Sequence, residues 1–294
     1  MDRRTESLTK RHFACTQCGA CCNRAPELEL GEASAYADTF VLQLMMRIYS
    51  LPRSLADYEC ALSRELASAE YYESKRLLGT YAAASWPIKA VRGGRAVEYV
   101  QYLNLSVLPL DIGTGSCPAL DGTSCSIYER RPLSCRTVPV HYSRPEAAAV
   151  RDLDAFTAKA GFLCQTTCEA PVIIENGRLT DPATLEARAA ADQQASTDAR
   201  WKAALVKAMK AKRHALPTPR EVEAQAARGA LISSMRVAWR VAFEAGLLDA
   251  ERAEALAGAQ SALIDRTLSY RNLTPAAVAS LADLLREYRL SGTS

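Results

Sequence analysis

The chain has 294 residues, 49% hydrophobic and 23% charged, which suffices for one large domain or two modest ones with a real core. Its 36 basic and 33 acidic side chains leave a formal charge of +3, which neither demands a nucleic-acid partner nor rules one out. No run of about eighteen apolar residues occurs, so no membrane helix is expected; with no apolar leader among the first twelve residues, the cytoplasm is the expected compartment.

The first informative stretch is Cys15-x2-Cys18-x2-Cys21-Cys22, four cysteines within eight residues. In a reducing compartment such thiols stay unpaired, and their clustering points to metal ligation. Thiolates are soft donors that select zinc or an iron–sulfur cluster over magnesium or calcium. Structural zinc sites pair two distant Cys-x2-Cys knuckles, whereas Cys-x2-Cys-x2-Cys with a remote fourth cysteine before proline, here Cys117-Pro118, is the ferredoxin-like run. The spacing therefore favours an iron–sulfur cluster, 4Fe-4S in type, with zinc as the alternative. Cys22 directly follows Cys21, and both sulfurs reach one site only with backbone strain.

Phe40, Leu44 and Ile48 recur at four-residue intervals and predict an amphipathic helix ending near Pro52. A second helix is predicted from Ser54, with Leu55, Tyr58, Leu62 and Leu66 on one stripe; the two would form a hairpin over the metal site. Cys60, alone in that helix, is expected to be a buried small hydrophobe. Ile88–Arg92, a Gly93-Gly94 turn and Arg95–Leu105 read as a β-hairpin. The following Asp111-x-Gly113-x-Gly115 resembles the glycine loop with which Rossmann-like methyltransferases hold S-adenosylmethionine, but Cys117-Pro118 and another turn stand where the required helix would begin. A tight turn that aims Cys117 is the preferred reading.

The second cysteine group is Cys117-x7-Cys125-x9-Cys135-Arg136, with Tyr128, Arg131, Pro132 and Pro139 at fixed offsets. Pro132 disfavours helix at Arg131, so the chain turns there and returns Cys135 toward Cys125. Arg136 either offsets thiolate charge or makes a surface ion pair. Tyr128 reads as a core residue. Together with Phe13-x-Cys15-x2-Cys18-Gly19-x-Cys21-Cys22, this group resembles the signature of the YkgJ-type cysteine-cluster proteins, the CxxCxxCC family, over residues 12 to 140. The resemblance implies a zinc- or iron-chelating protein, and the flagellin lysine methylases carry a related cysteine cluster.

Cys164-x3-Cys168 would bring two thiols to one face of a helix. The candidate metal ligands are thus Cys15, Cys18, Cys21, Cys22, Cys117, Cys125, Cys135, Cys164 and Cys168, of which eight could serve two four-cysteine sites. His12 and His141 flank the groups and are not assigned as ligands.

Val172–Thr180 carries a second hairpin signal around Asn176-Gly177. Asp181-Pro182 is a helix start, and the chain is alanine-rich and helical from there, with Thr218-Pro219-Arg220-Glu221 as a capping box and further starts at Asp249 and Thr274-Pro275. Seven basic residues between Arg200 and Arg220 include no acid among them, but such runs are mostly solvated helix faces, and nothing beyond Trp201 supports base stacking.

The expected architecture is mostly α with a small β-hairpin element: a cysteine-cluster metal-binding domain over residues 1–180 and an alanine-rich helical bundle or lid over 181–294. Three functions follow: a metalloprotein holding an iron–sulfur cluster or zinc, a cluster-assisted enzyme such as an S-adenosylmethionine-dependent protein lysine N-methyltransferase resembling the flagellin methylases, or a zinc-folded interaction module. A protein partner or substrate is expected to meet the helical part. No Ser-His-Asp set, HExxH or phosphate-binding loop appears.

Overall fold

The computed structural model describes residues 10–80, 82–92, 95–112, 115–270 and 273–289. The polar stretch 1–9, the Gly93-Gly94 turn and Gly113 of the glycine loop lie outside the described residues.

The expectation of one small β-hairpin in a mostly helical chain is overturned. Nine strands form three antiparallel sheets among the described residues. The largest sheet has the order β3-β4-β2-β9, built from β2 (Leu42–Pro52), β3 (Ala84–Arg92), β4 (Arg95–Pro109) and β9 (Leu231–Ser234). The predicted β3–β4 hairpin is present. Pro87 lies in β3, at the sheet edge, where a missing N–H costs no ladder bond.

The helix predicted over Phe40–Pro52 is instead β2, which pairs with β4 from Leu42↔Pro109 to Pro52↔Tyr99. Apolar residues four apart fall on one face of a helix and also on one face of a strand, where side chains two apart are already aligned. Pairing with β4 and β9 decides for the strand. Leu42, Leu44 and Met46 then share a face with Leu103, Leu105 and Val107, all at most 1% exposed.

The helices are α1 (Leu30–Ala33), α2 (Leu55–Glu59), α3 (Arg64–Thr80), α4 (Leu133–Arg136), α5 (Ala149–Thr157), α6 (Pro182–Lys210), α7 (Pro219–Gln225), α8 (Met235–Glu244), α9 (Ala250–Leu268) and α10 (Pro275–Arg289). Of these, α1 and α6 to α10 pack on that face. The second predicted helix is broken between α2 and α3, and Cys60 in the break is exposed, not buried. The predicted starts are found: Asp181 and Asp249 accept from the backbone of Thr184 and Arg252, and Thr218 and Glu221 form a reciprocal capping box.

One hydrophobic cluster joins the sheet face to Trp201 and Met209 of α6, Trp239 of α8, Ile264 of α9 and Leu281 of α10, and so draws on both sides of residue 181. Gln260 of α9 is fully buried and fastens the entry to β2: its amide donates to the carbonyls of Ala37 (2.6 Å) and Phe40 (2.7 Å) and accepts from Leu42 N–H at 2.7 Å. Three backbone groups that would be orphaned beside the sheet are thereby satisfied.

The two smaller sheets position the cysteines. β1 (Lys10–His12), β7 (Val172–Glu175) and β8 (Arg178–Leu179) form one, with Phe13, Ile174 and Leu153 of α5 in a cluster of their own. β5 (Leu120–Asp121) and β6 (Ser124–Cys125) form the other. No helix among the described residues is long and apolar enough to cross a membrane.

Candidate metal centre

The first cysteine group is anchored by backbone pairing. Ala14 N–H donates to Gln165 O (2.8 Å) and Gln165 N–H donates back to Ala14 O (3.0 Å), an antiparallel bridge that sets Cys15 beside Cys164. The chain then curls through two left-handed residues, Gln17 (φ 55°) and Gly19 (φ 74°). A Cβ on Gly19 would stand 3.2 Å from the Thr123 carbonyl, so glycine meets both the torsion and the close approach. Gln17 N–H points at Cys15 Sγ, 3.4 Å away. A single 3₁₀ turn, Ala20–Cys22, ends the group, and the Cys22 carbonyl accepts from Cys117 N–H at 2.8 Å, tying the first group to the second.

Within the second group the β5–β6 hairpin turns at Gly122 (φ 60°), and Leu120 N–H donates to Cys117 O, so Cys125 is folded back toward Cys117. Cys135 rides on α4, begun at Pro132 and held by Glu32, whose Oε1 accepts from Leu133 N–H at 2.6 Å. The turn predicted at Arg131-Pro132 is thus realised.

Eight of the nine predicted ligands, Cys15, Cys18, Cys21, Cys22, Cys117, Cys125, Cys135 and Cys164, line one cavity of about 1180 Å³. Cys168 is exposed and does not line it. Residues 164–168 are not helical, so the i, i+4 geometry predicted for that pair is absent; the bridge to Ala14 orients Cys164 alone. All ten cysteines are free thiols.

Mutual electrostatics sorts the eight into two neighbourhoods. Cys164 feels the charge of Cys18, Cys15 and Cys21, while Cys135 feels that of Cys117 and Cys125 and Cys22 that of Cys117 and Cys135. Cys21 and Cys22 join the two sets through a thiol–thiol hydrogen bond that holds the Cys21 thiol below its ordinary range and raises Cys22. Burial, followed by the Cys117 neighbour, pushes Cys135 up to about 12, and burial likewise raises Cys117 and Cys164. Cys18 is lowered, first by the backbone N–H of Ala20 and then by that of Leu163.

Among the described residues, no three histidine, cysteine or acidic side chains stand close enough to hold a single ion as they lie. The thiols ring the cavity wall. As a donor set they nevertheless fit a thiophilic metal group: all are soft and reduced, and a cation beside Cys117, Cys135 and Cys164 would favour the thiolates that burial disfavours. Arg131 and Lys159 line the same cavity and lower Cys21.

The flanking residues are also placed. Arg131 lies 3.7 Å over the Tyr128 ring, and Tyr128, expected in the core, is half-buried on the cavity wall. Arg136 makes the ion-pair option real, with Glu186 of α6 at 3.6 Å. His12 Nδ1 is engaged with Ala170 O at 2.7 Å. His141 lines the cavity, but burial pushes it down to about 4, and Nδ1 accepts from Ser143 N–H, leaving a neutral ring protonated at Nε2. Of the basic run 200–220, Lys202 is fully buried on Glu29 at 2.8 Å, and Arg213 pairs with Glu244.

Sequence reasoning missed the opposite wall. Met45, Arg47 and Tyr49 of β2 and Tyr102 and Asn104 of β4 point into the cavity, joined by Glu27. Glu27 is brought there by the Leu28↔Val107 bridge, and it accepts from Ser106 Oγ (2.6 Å) and Asn104 Nδ2 (3.2 Å). The signal was the alternation Arg47-x-Tyr49 against Tyr102-x-Asn104, legible only once β2 is taken as a strand.

Neither the curated proteins nor the solved structures offer a significant match to this chain. The family model CxxCxxCC, described as a "putative zinc- or iron-chelating domain", matches residues 14–169. That span runs from the residue before the first thiol to the residue after Cys168 and takes in every cysteine of the cavity; the chain belongs to the CxxCxxCC family.

Proposed function

We propose that the protein is a metalloprotein in which these cavity thiols hold iron–sulfur chemistry, in two neighbourhoods: Cys15, Cys18, Cys21 and Cys164 in one, Cys22, Cys117, Cys125 and Cys135 in the other. The observation that carries the reading is the convergence of eight thiols from three separate stretches of chain on one cavity. Family membership supports metal binding in general. Two features favour a cluster over zinc. The Cys-x2-Cys-x2-Cys spacing with a remote Cys-Pro is the ferredoxin-like run. A single zinc draws its thiolates to about 2.3 Å, whereas a polynuclear centre places its own atoms between them and suits ligands that ring a space.

When bound, such a centre supplies one-electron transfer or a Lewis-acidic iron. The chain's own part is to bury the thiolates, direct the Gln17 and Ala20 backbone N–H groups at sulfur, and offset negative charge with Arg131 and Lys159. Cluster-assisted group transfer, of which a methyltransferase is one form, is the second reading. It is favoured by the extent of the cavity beyond the thiols, to the wall of Arg47, Tyr49 and Tyr102.

The test is anaerobic purification with iron, zinc and acid-labile sulfide assays. Iron and sulfide in near-equal amounts, with visible absorption bleached by dithionite and lost in Cys18→Ser and Cys125→Ser, is the expected result. Zinc without sulfide replaces the cluster by a structural site, and no metal at all overturns both.

A further inference from the structure

The wall facing the thiols carries two opposite charges that do not meet. Arg47 and Asn104 are cross-strand partners on one face of the sheet, and Asn104 donates to Glu27, so the guanidinium and this carboxylate are neighbours on the same wall. Yet no ion pair closes between them. Arg47 donates to the neutral Tyr49 hydroxyl at 3.2 Å, and Glu27 accepts from the neutral Asn104 and Ser106. The next carboxylate along, Glu29, is engaged with Lys202.

Half-buried charges with only neutral partners are costly and suit a ligand that brings the missing countercharges. A guanidinium is a fork for a carboxylate, and a carboxylate is an acceptor for an ammonium. Beside them Tyr49 and Tyr102 stack with ring centroids 5.5 Å apart, and Arg47 sits 5.8 Å from the Tyr49 ring, an apolar flank for the rest of a molecule. A cavity of about 1180 Å³ has room for a small molecule of this kind.

We infer that this wall binds the zwitterionic head of an α-amino acid, carboxylate on Arg47 and ammonium on Glu27, with the side chain lying along the tyrosine pair. The head is offered either by a free amino acid or by a larger molecule that ends in one. The inference stands on the sheet face and not on which metal the thiols hold.

The purified full chain, with its metal content measured on the same sample, is titrated calorimetrically with each proteinogenic L-amino acid and with S-adenosylmethionine, which carries the same head on a nucleoside. Every ligand that binds is repeated as its carboxamide and as its N-acetyl derivative. In the wild type each change is expected to weaken binding roughly tenfold or more. In Arg47→Gln the carboxamide change, and in Glu27→Gln the N-acetyl change, should cost less than about twofold, because the recognising charge is already gone. Arg47→Met, which likewise removes the charge, replaces Arg47→Gln if that variant melts below the wild type, with the same expected loss of carboxamide discrimination. Failure of every probe to bind at millimolar concentration overturns the inference, as does equal discrimination in wild type and variants. Binding to a zinc-only or metal-free sample leaves it standing while overturning the cluster, and iron with sulfide but no binding does the reverse.

Discussion

On one face of the four-stranded sheet, Leu44, Met46 and Leu105 are sealed against Trp239 and Ile264; on the other, Arg47, Tyr49 and Asn104 look across a cavity at eight thiols. The first face follows the rules of stability, with close packing and buried polar groups such as Gln260 that are fully bonded. The second gathers crowded thiols and charges with neutral partners, an arrangement that costs free energy in the empty chain and is compensated by what it binds. The helical face carries the fold, and the thiol face is where the proposed function lies.

The sharpest way to break this division is to remove the metal. Thiolate metal sites couple on the order of 10 kcal/mol of binding to folding. Chelation under reducing conditions is expected to open the cysteine-bearing stretches 14–26 and 111–170 to limited proteolysis while 182–289 stays protected. Simultaneous cleavage of both would show that the two faces are one cooperative unit.

Trp239→Ala acts from the opposite side. It is expected to cost about 3–5 kcal/mol in urea unfolding, and by the same amount with and without metal. A metal-dependent loss would mean that the core and the cavity are coupled.

At the border of the two regions lies a buried charge group: Lys202 on Glu29, with Asp198 accepting from Gly31 N–H at 2.8 Å. Lys202→Met leaves these carboxylates without their cation and is expected to cost about 3 kcal/mol or more. Adding Glu29→Gln should recover part of that loss in a denaturation series.

The same group gives the smallest effect, a pH dependence. Burial first, and the Glu29 charge second, push Asp198 up to about 7, and burial raises Glu32 to about 7 as well. In the unfolded chain such carboxyls titrate near about 4, so between roughly pH 4 and 7 the folded state binds more protons. Their contribution therefore falls as pH rises through that window and is flat above it. Asp198→Asn should shallow the slope and raise stability at pH 8 by roughly 2 kcal/mol, measured by urea midpoints across pH; an unchanged slope would move the assignment to Glu32.

The local features were legible because their physics is local. Caps at Asp181, Thr218 and Asp249, the hairpins at 84–109 and 172–179, and the thiol spacing each depend on residues within a few positions of one another. What the sequence by itself determined was a soft-donor cluster from two distant stretches and helices with well-marked starts. Only tertiary structure decided that Leu42–Pro52 extends into a strand, because apolar spacing of four satisfies both states and the choice belongs to β4 and β9, far along the chain. It likewise decided that Cys164 joins the cavity and Cys168 does not, since the Ala14↔Gln165 bridge, and no spacing rule, sets which thiol turns inward. The wall of Arg47 and Glu27 followed from that same strand: opposite charges become neighbours only when separate segments are laid side by side, and hydrogen bonding between backbones is what lays them there.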